Sequence, residues 1–382
     1  MKRKILATTL LITPLLLCGS LQSGITERVE KLEQEMSQIG ATNSMDNFGT
    51  SFTTASPKGS NGLYIFVDPL YWHAKVSGTE FAFTVELPNQ TLNPAFISNP
   101  PQKGAVKENS FNWNWGLRVG LGTHLGHDCW DIGANYTWFE TNQTATVQKN
   151  APAFVRATRI NEIIWMKRAK SSYSVGYNNV NLELGRSYFI SEKISTKPYL
   201  GLKSAWIDLD QNIHYALTFL NGPNQAEGAI VKVIAKSFLW GMGPRGGLNM
   251  EWYLGDGFSI AGNFAGALLY GYVRGSEHFK PDGNIIQGIS IERRIKSKTH
   301  RFIPTAQMFL GLIWETYMFE KTKHLTLGAG YEVEYYWRAN QMTNMEDTST
   351  PNNFISSRRD QVQNISEDVM FYGITLKAQL EF

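Results

Sequence analysis

The sequence predicts an all-β protein, a transmembrane antiparallel β-barrel of at least 10 and up to 16 strands, and three observations carry that reading. The first is the final stretch, where Met370, Tyr372, Ile374, Leu376, Ala378, Leu380 and Phe382 alternate with the polar or small Gly373, Thr375, Lys377, Gln379 and Glu381. A period of two is an extended strand whose faces meet different surroundings, and the strand that closes a membrane barrel turns its apolar face to lipid. The second is a regular alternation of tight and long connections between such stretches. The third is composition: 13% aromatic residues and 34 glycines suit a barrel with aromatic girdles. Beyond the N-terminal region no apolar run approaches the ~18 residues of a membrane helix. A soluble sandwich also has period-two strands, but nothing in it makes long and short connections alternate.

Taken in order, the chain opens on Lys2, Arg3 and Lys4, an apolar run from Ile5 to Leu17, and the small residues Cys18, Gly19 and Ser20. That succession is a secretory signal peptide over residues 1–20, with cleavage after Ser20 or, alternatively, near Gly24. Lipidation of Cys18 would want a small residue where Leu17 stands. Without the signal, Cys129 is the one cysteine left, so it either pairs between chains or stays a free thiol beside a turn. Over residues 25–39, Ile25, Val29, Leu32, Met36 and Ile39 recur at spacings of 4 and 3 between charged residues. This heptad seam predicts a short periplasmic coiled coil, which either assembles a homotrimer or serves as a spacer. Residues 40–62, rich in Ser, Thr, Asn and Gly, read as a linker, and the barrel occupies 63–382.

Ten strands are predicted, at about 63–75, 111–125, 130–141, 172–190, 196–211, 235–254, 258–274, 302–317, 324–338 and 368–382. In 111–121 one face reads Phe111, Trp113, Trp115, Leu117, Val119, Leu121 and the other Asn112, Asn114, Gly116, Arg118, Gly120. Leu325, Leu327, Ala329, Tyr331, Val333, Tyr335 and Trp337 make a similar face opposite Glu332, Glu334 and Arg338. The connections at 126–129, 191–195, 255–257 and 318–323 are tight; those at 76–110, 142–171, 212–234, 275–301 and 339–367 are long. Short periplasmic turns and long extracellular loops give that asymmetry, and ten crossings return the C-terminus to the side of the N-terminus. Residues 80–87 and 228–234 could supply further strands. Each strand exceeds the ~9–11 residues needed to cross, so several hairpins should project beyond the lipid.

These segments carry a resemblance. The signal peptide and coiled coil are followed by Gly62-Leu63-Tyr64-Ile65-Phe66-Val67-Asp68-Pro69-Leu70-Tyr71-Trp72, then by 130–137, 198–208, 241–249 and 267–271. Together they resemble the Legionella-type pore-forming major outer membrane protein family, found also in chlamydia-like bacteria. The resemblance implies a general diffusion porin of the bacterial outer membrane and transfers no catalytic residues.

A porin works by geometry and field: a closed barrel satisfies its backbone, and polar inward side chains hold water. Alternation points Asn112, Asn114, Arg118, Glu183, Lys203, Arg245, Glu251, Glu315, Glu332, Glu334, Arg338 and Lys377 inward. Arg118, Lys203 and Arg245 facing Glu332 and Glu334 would set a transverse field with weak ion selectivity, or else form salt bridges across the lumen. The loop at 142–171 sets Lys149, Arg156, Arg159, Lys167, Arg168 and Lys170 against Glu162 alone. Such a surface faces lipopolysaccharide and outer-membrane lipid, or binds sulfated host glycans as an adhesin would. The net charge of +3 points to no nucleic acid. No nucleophile elbow, phosphate loop or metal spacing appears, so neither catalysis, cofactor nor metal is expected, although a hydrolase on the barrel rim is a third reading.

Overall fold

The computed structural model describes residues 62–86, 103–125, 130–150, 153–159, 166–217, 230–282, 292–318, 323–348 and 359–382. The predicted signal peptide, the heptad segment, nearly all of the linker and Cys129 lie outside the described residues. In chain order the strands are β1 (Leu63–Val76), β2 (Ala82–Val85), β3 (Val106–Lys107), β4 (Asn114–His124), β5 (Trp130–Gln148) and β6 (Phe154–Ala157). They continue with β7 (Met166–Arg186), β8 (Tyr188–Ser191), β9 (Ile194–Leu217), β10 (Ile230–Gly255) and β11 (Phe258–Asp282). The last are β12 (Arg293–Met318), β13 (Lys323–Asn340), β14 (Thr343–Thr348), β15 (Arg359–Asn364) and β16 (Glu367–Glu381).

Ten of them close into a ring in the order β1-β4-β5-β7-β9-β10-β11-β12-β13-β16, every neighbour antiparallel, with β16 returning to β1. The seam is drawn tight where the Phe382 amide donates to Leu63 O at 2.9 Å. All ten predicted strands are in the ring, several of them longer on the extracellular side. The two extra candidates do not widen it: within 80–87 lies β2, which pairs with β3 and β6 off the ring, while residues 230–234 simply begin β10. β14 and β15 form a separate hairpin within the last long connection. The turn from β10 to β11 explains its own sequence. Gly255, Asp256 and Gly257 all have positive φ, and a Cβ on Gly257 would stand 2.4 Å from Glu315 O.

The ring is inside-out, as the alternation predicts. Leu310, Met308, Phe264 and Leu327 point outward and are exposed, Leu310 by 62%, while Arg118, Lys203, Glu332 and Glu334 are buried. On the outer face of β12 the apolar run lies between Trp314 and Phe302. At ~3.4 Å per residue and a tilt of ~40° that interval is roughly 30 Å, the thickness of a hydrocarbon core. Trp130, Trp252, Phe258 and Trp314 mark the periplasmic girdle; Trp115, Trp138, Tyr270, Phe302 and Trp337 mark the outer one. β12 continues from Arg301 to Arg293, which at the same rise lifts the wall roughly 25 Å above the lipid.

Phe111 departs from the alternation. β4 starts only at Asn114, so Phe111 turns inward, 3% exposed and edge-on to Tyr173 at 5.4 Å. Arg338 is the second departure. Its φ is 52°, the β13–β16 register slips there, and its side chain is exposed, so it does not line the lumen as predicted.

Candidate functional site: the barrel lumen

The lumen is stacked in tiers. Nearest the periplasm, Asp131 on β5 accepts from Lys197 Nζ at 2.6 Å and faces His124 Nδ1 at 3.2 Å, while Glu251 accepts from Tyr253 at 2.7 Å. Glu251, Lys377, Asp131 and Lys197 help to line a polar vestibule of about 210 Å³. Glu315 is buried at the same end, its carboxylate 3.8 Å from His324. Among the described residues no three His, Cys, Asp or Glu side chains are arranged to hold a metal ion.

Above the vestibule stands a charged tier. Arg118 on β4 grips Glu332 on β13 with both ends of its guanidinium, at 2.8 and 3.1 Å, and Asp68 lies 3.8 Å away. Two-point contact fixes the plane of both groups, so the pair spans the wall between β4 and β13 rigidly. Gln307 Nε2 (2.6 Å) and Thr375 Oγ1 (2.7 Å) donate to the same carboxylate. Lys203 on β9 pairs across the lumen with Glu334 on β13, which also accepts from Tyr336 at 3.1 Å and Asn179 at 3.3 Å. Arg245 on β10 reaches Glu183 on β7 at 3.2 Å and donates to Tyr199 at 3.2 Å. The predicted cations and carboxylates are thus brought together, but as closed pairs and not as opposed walls of an open constriction. Asn114 donates to Thr141, and Asn112 is exposed.

The next tier is apolar. Tyr177 stacks on Phe371 at 4.4 Å, Phe139 meets Phe371 at 5.8 Å and Trp72 at 5.9 Å, and Ile207, Leu239, Leu269 and Ile303 fill the rest. Phe111 and Met342 join it from the long connections.

Over this tier the connections are pinned inside the wall. Arg159, 3% exposed, donates to Gln211 Oε1 at 3.1 Å and to Gly78 O at 3.3 Å, lies 3.4 Å from Met342 Sδ, and approaches Glu277 at 3.8 Å. Gln211 Nε2 donates to Thr79 O at 2.9 Å, and Ser171 donates to Asn109 Oδ1 at 2.7 Å. The β1–β4, β5–β7 and β13–β16 connections therefore meet at one buried point.

A family model described as the Legionella pneumophila major outer membrane protein precursor matches residues 55–382. The chain belongs to this family. It is accordingly an outer-membrane protein, as the ring and its lipid-facing band require. No curated protein matches the chain. Among solved structures it is similar to the Escherichia coli outer membrane protease OmpT, at 10% identity over 87% of this chain and 99% of that one, with a TM-score of 0.39. The Pseudomonas putida toluene transporter TodX aligns at 8% identity over 88% and 93%, TM-score 0.27. A Pseudomonas aeruginosa FadL homologue aligns at 6% over 84% and 89%, TM-score 0.25. Likenesses this distant carry nothing about activity.

In this chain the predicted basic loop is divided. Lys167, Arg168 and Lys170 are exposed on β7, Lys149 lies 3.9 Å from Glu86, and Arg156 stands over the Phe83 ring at 5.5 Å. Arg159 leaves the surface altogether for the lumen. Sequence reasoning counted it among the surface cations because charge runs in long loops usually face water. It also missed Gln211 and Asn109, which carry no motif. The inward rings do have a signal. Tyr71-Trp72, Trp138-Phe139, Tyr335-Tyr336 and Phe371-Tyr372 are aromatic doublets, and on a strand each doublet sends one ring to each face.

Proposed function

We propose that this protein is a gated porin, passing ions and small hydrophilic solutes when the inserted connections withdraw from the lumen. One observation supports this reading above others: the middle of the lumen is filled by paired charges and not by hydrocarbon. Burying an ion pair is often no better for stability than packing apolar residues of the same volume. The barrel has an apolar tier immediately above, so its wall could have been filled throughout in that way. A charged tier opening onto a polar vestibule is of use where water enters. The apolar tier then acts as the gate, since a hydrophobic constriction excludes water until it widens. Its contributions from Phe111 and Met342 belong to connections that can leave. The near balance of cations and carboxylates fits weak ion selectivity.

Planar-bilayer recording of the refolded protein is the test. Discrete conductance steps, rare in the resting protein, are expected; continued silence under voltage and after loosening of the inserted connections would remove the reading. A surface-binding role is the second reading, favoured by the cations exposed on the wall above the outer girdle.

A further inference from the structure

The wall above the outer girdle carries a feature that the lumen does not explain. Alternation sets Lys236 of β10, Arg274 and Lys280 of β11, and Arg294, Lys296 and Lys298 of β12 on the outer face, all exposed. The register places Arg274 directly opposite Lys298, and Lys236 and Lys296 on either side of Ser276. Like charges directly opposite on one face repel and weaken a strand pair. Among the described residues no carboxylate pairs with Arg274, Lys296 or Lys298. Of the nearby acids, Asp210 is engaged by Lys236 and Glu292 by His278, while Asp208 of β9 and Glu140 of β5 line the same recess as Arg274 and Lys296 without pairing with either.

The level is equally specific. Arg274 and Lys298 both lie over the Tyr272 ring, at 5.3 and 5.2 Å. Tyr272 neighbours Phe238 at 5.9 Å and Trp240 at 5.8 Å, and Tyr270 packs on Phe302 at 5.1 Å within the outer girdle. Arg274 is four residues beyond Tyr270, roughly 10 Å of climb at the usual rise and tilt. That is where lipid phosphates sit, just outside the hydrocarbon. Lys236, Arg274 and Lys296 also border a recess of about 590 Å³ in the outer wall, whose lining includes Gly176, Ser174 and Ser276 and the acids Glu140, Asp208 and Asp210.

We propose that this face binds the phosphorylated headgroup of an outer-leaflet glycolipid. Arg274, Lys296 and Lys298 hold the phosphate, the recess takes the sugar, and the acyl chains run down the apolar face of β11 and β12. A soluble polyanion would meet the loop tips before it met a patch standing on an aromatic girdle. The inference rests on the outer-membrane placement and is independent of whether the lumen conducts.

The full chain in detergent micelles is titrated with a diphosphoryl lipid A and with the same lipid dephosphorylated, and bound lipid is read by native mass spectrometry. The variant R274Q/K296Q/K298Q is expected to bind the diphosphoryl lipid ~150-fold more weakly, at about a factor of five per cation. Dephosphorylated lipid should bind both proteins alike. The exposed side chains leave folding intact, which heat-modifiability on a gel verifies. Equal retention of the phosphorylated lipid by the variant overturns the proposal. So does an equal loss in K149Q/K167Q/R168Q, which would mean that general charge suffices. Heparin binding that is lost in the first variant while lipid A binding is unchanged would reassign the face to a soluble polyanion and overturn it as well.

Discussion

Arg159 is the single side chain on which the resting state of the lumen most depends. Arg159→Ala removes two hydrogen bonds from a buried cation, to Gln211 and Gly78, together with the approach to Glu277. Hydrogen bonds from a charged donor contribute ~1.5–3 kcal/mol each, and breaking a buried charged contact costs ~3–5 kcal/mol. Water entering the vacated space offsets part of this, so ~3 kcal/mol is a fair figure for the change in docking of the connections. Such a change multiplies the ratio of withdrawn to inserted forms by about 150. A lumen open roughly one part in a thousand would then be open more than a tenth of the time. The assay is mean current per inserted molecule in planar bilayers, with folding verified by heat-modifiability; Arg159→Lys should fall between. Hydrogen exchange at 153–159 and 340–343 supplies the refuting outcome. If those amides lose protection in Arg159→Ala and the current does not rise, the inserted connections are not the gate and the porin reading fails with them.

Other consequences are direct. Glu332→Gln leaves Arg118 buried without its two-point partner and should cost ~3–5 kcal/mol, lowering the temperature at which the folded gel band disappears; Arg118→Met/Glu332→Leu should recover most of the loss. Gly271→Val places a Cβ 1.9 Å from Trp240 O and should abolish refolding, whereas Gly262→Val, with its nearest atom Phe309 O at 3.9 Å, should refold in normal yield. Leu310→Lys sets a charge in the middle of the lipid band and should reduce vesicle insertion by the equivalent of ~2–4 kcal/mol, with little effect on folding in micelles.

The ring was legible because one rule generates it. Lipid on one side and a filled lumen on the other impose period two on every strand, and ten stretches obeying it recur, with the tight turns within 191–195 and 255–257 where the structure has them. Arg118, Lys203, Arg245, Glu332 and Glu334 were legible for the same reason: a charge at an inward position has nowhere else to go. Their pairing was not, because Arg118 and Glu332 are separated by β1 and β16, and Lys203 and Glu334 lie across the lumen. A single sequence does not specify the stagger of ten strands. The exceptions are local breaks of the rule. Phe111 lies just before β4 begins, and Arg338 sits at a left-handed backbone kink that resets the alternation. Arg159 shows the remaining blind spot, for a long connection has no period from which to read its direction.

The tiers follow from what each level of the wall must exclude. Within the bilayer the outer face is committed to hydrocarbon, so any chemistry this protein performs there must be carried by the inward half of each strand. A ten-stranded ring is narrow, and side chains the size of Arg118 and Glu332 already meet across part of it. On the proposed porin reading, conduction through so small a cross-section cannot come from an empty tube. It must come from groups that exchange one set of partners for another as water arrives, which charges and amides do and a packed aromatic cluster does not. Hence the apolar tier, which starts level with the outer girdle at Phe139, Leu269 and Ile303, is placed where loop residues contribute to it and the connections can swing into solvent. A barrel meant only to be stable would have put its fixed hydrocarbon at mid-membrane and its adjustable polar groups outside; this one has the reverse order.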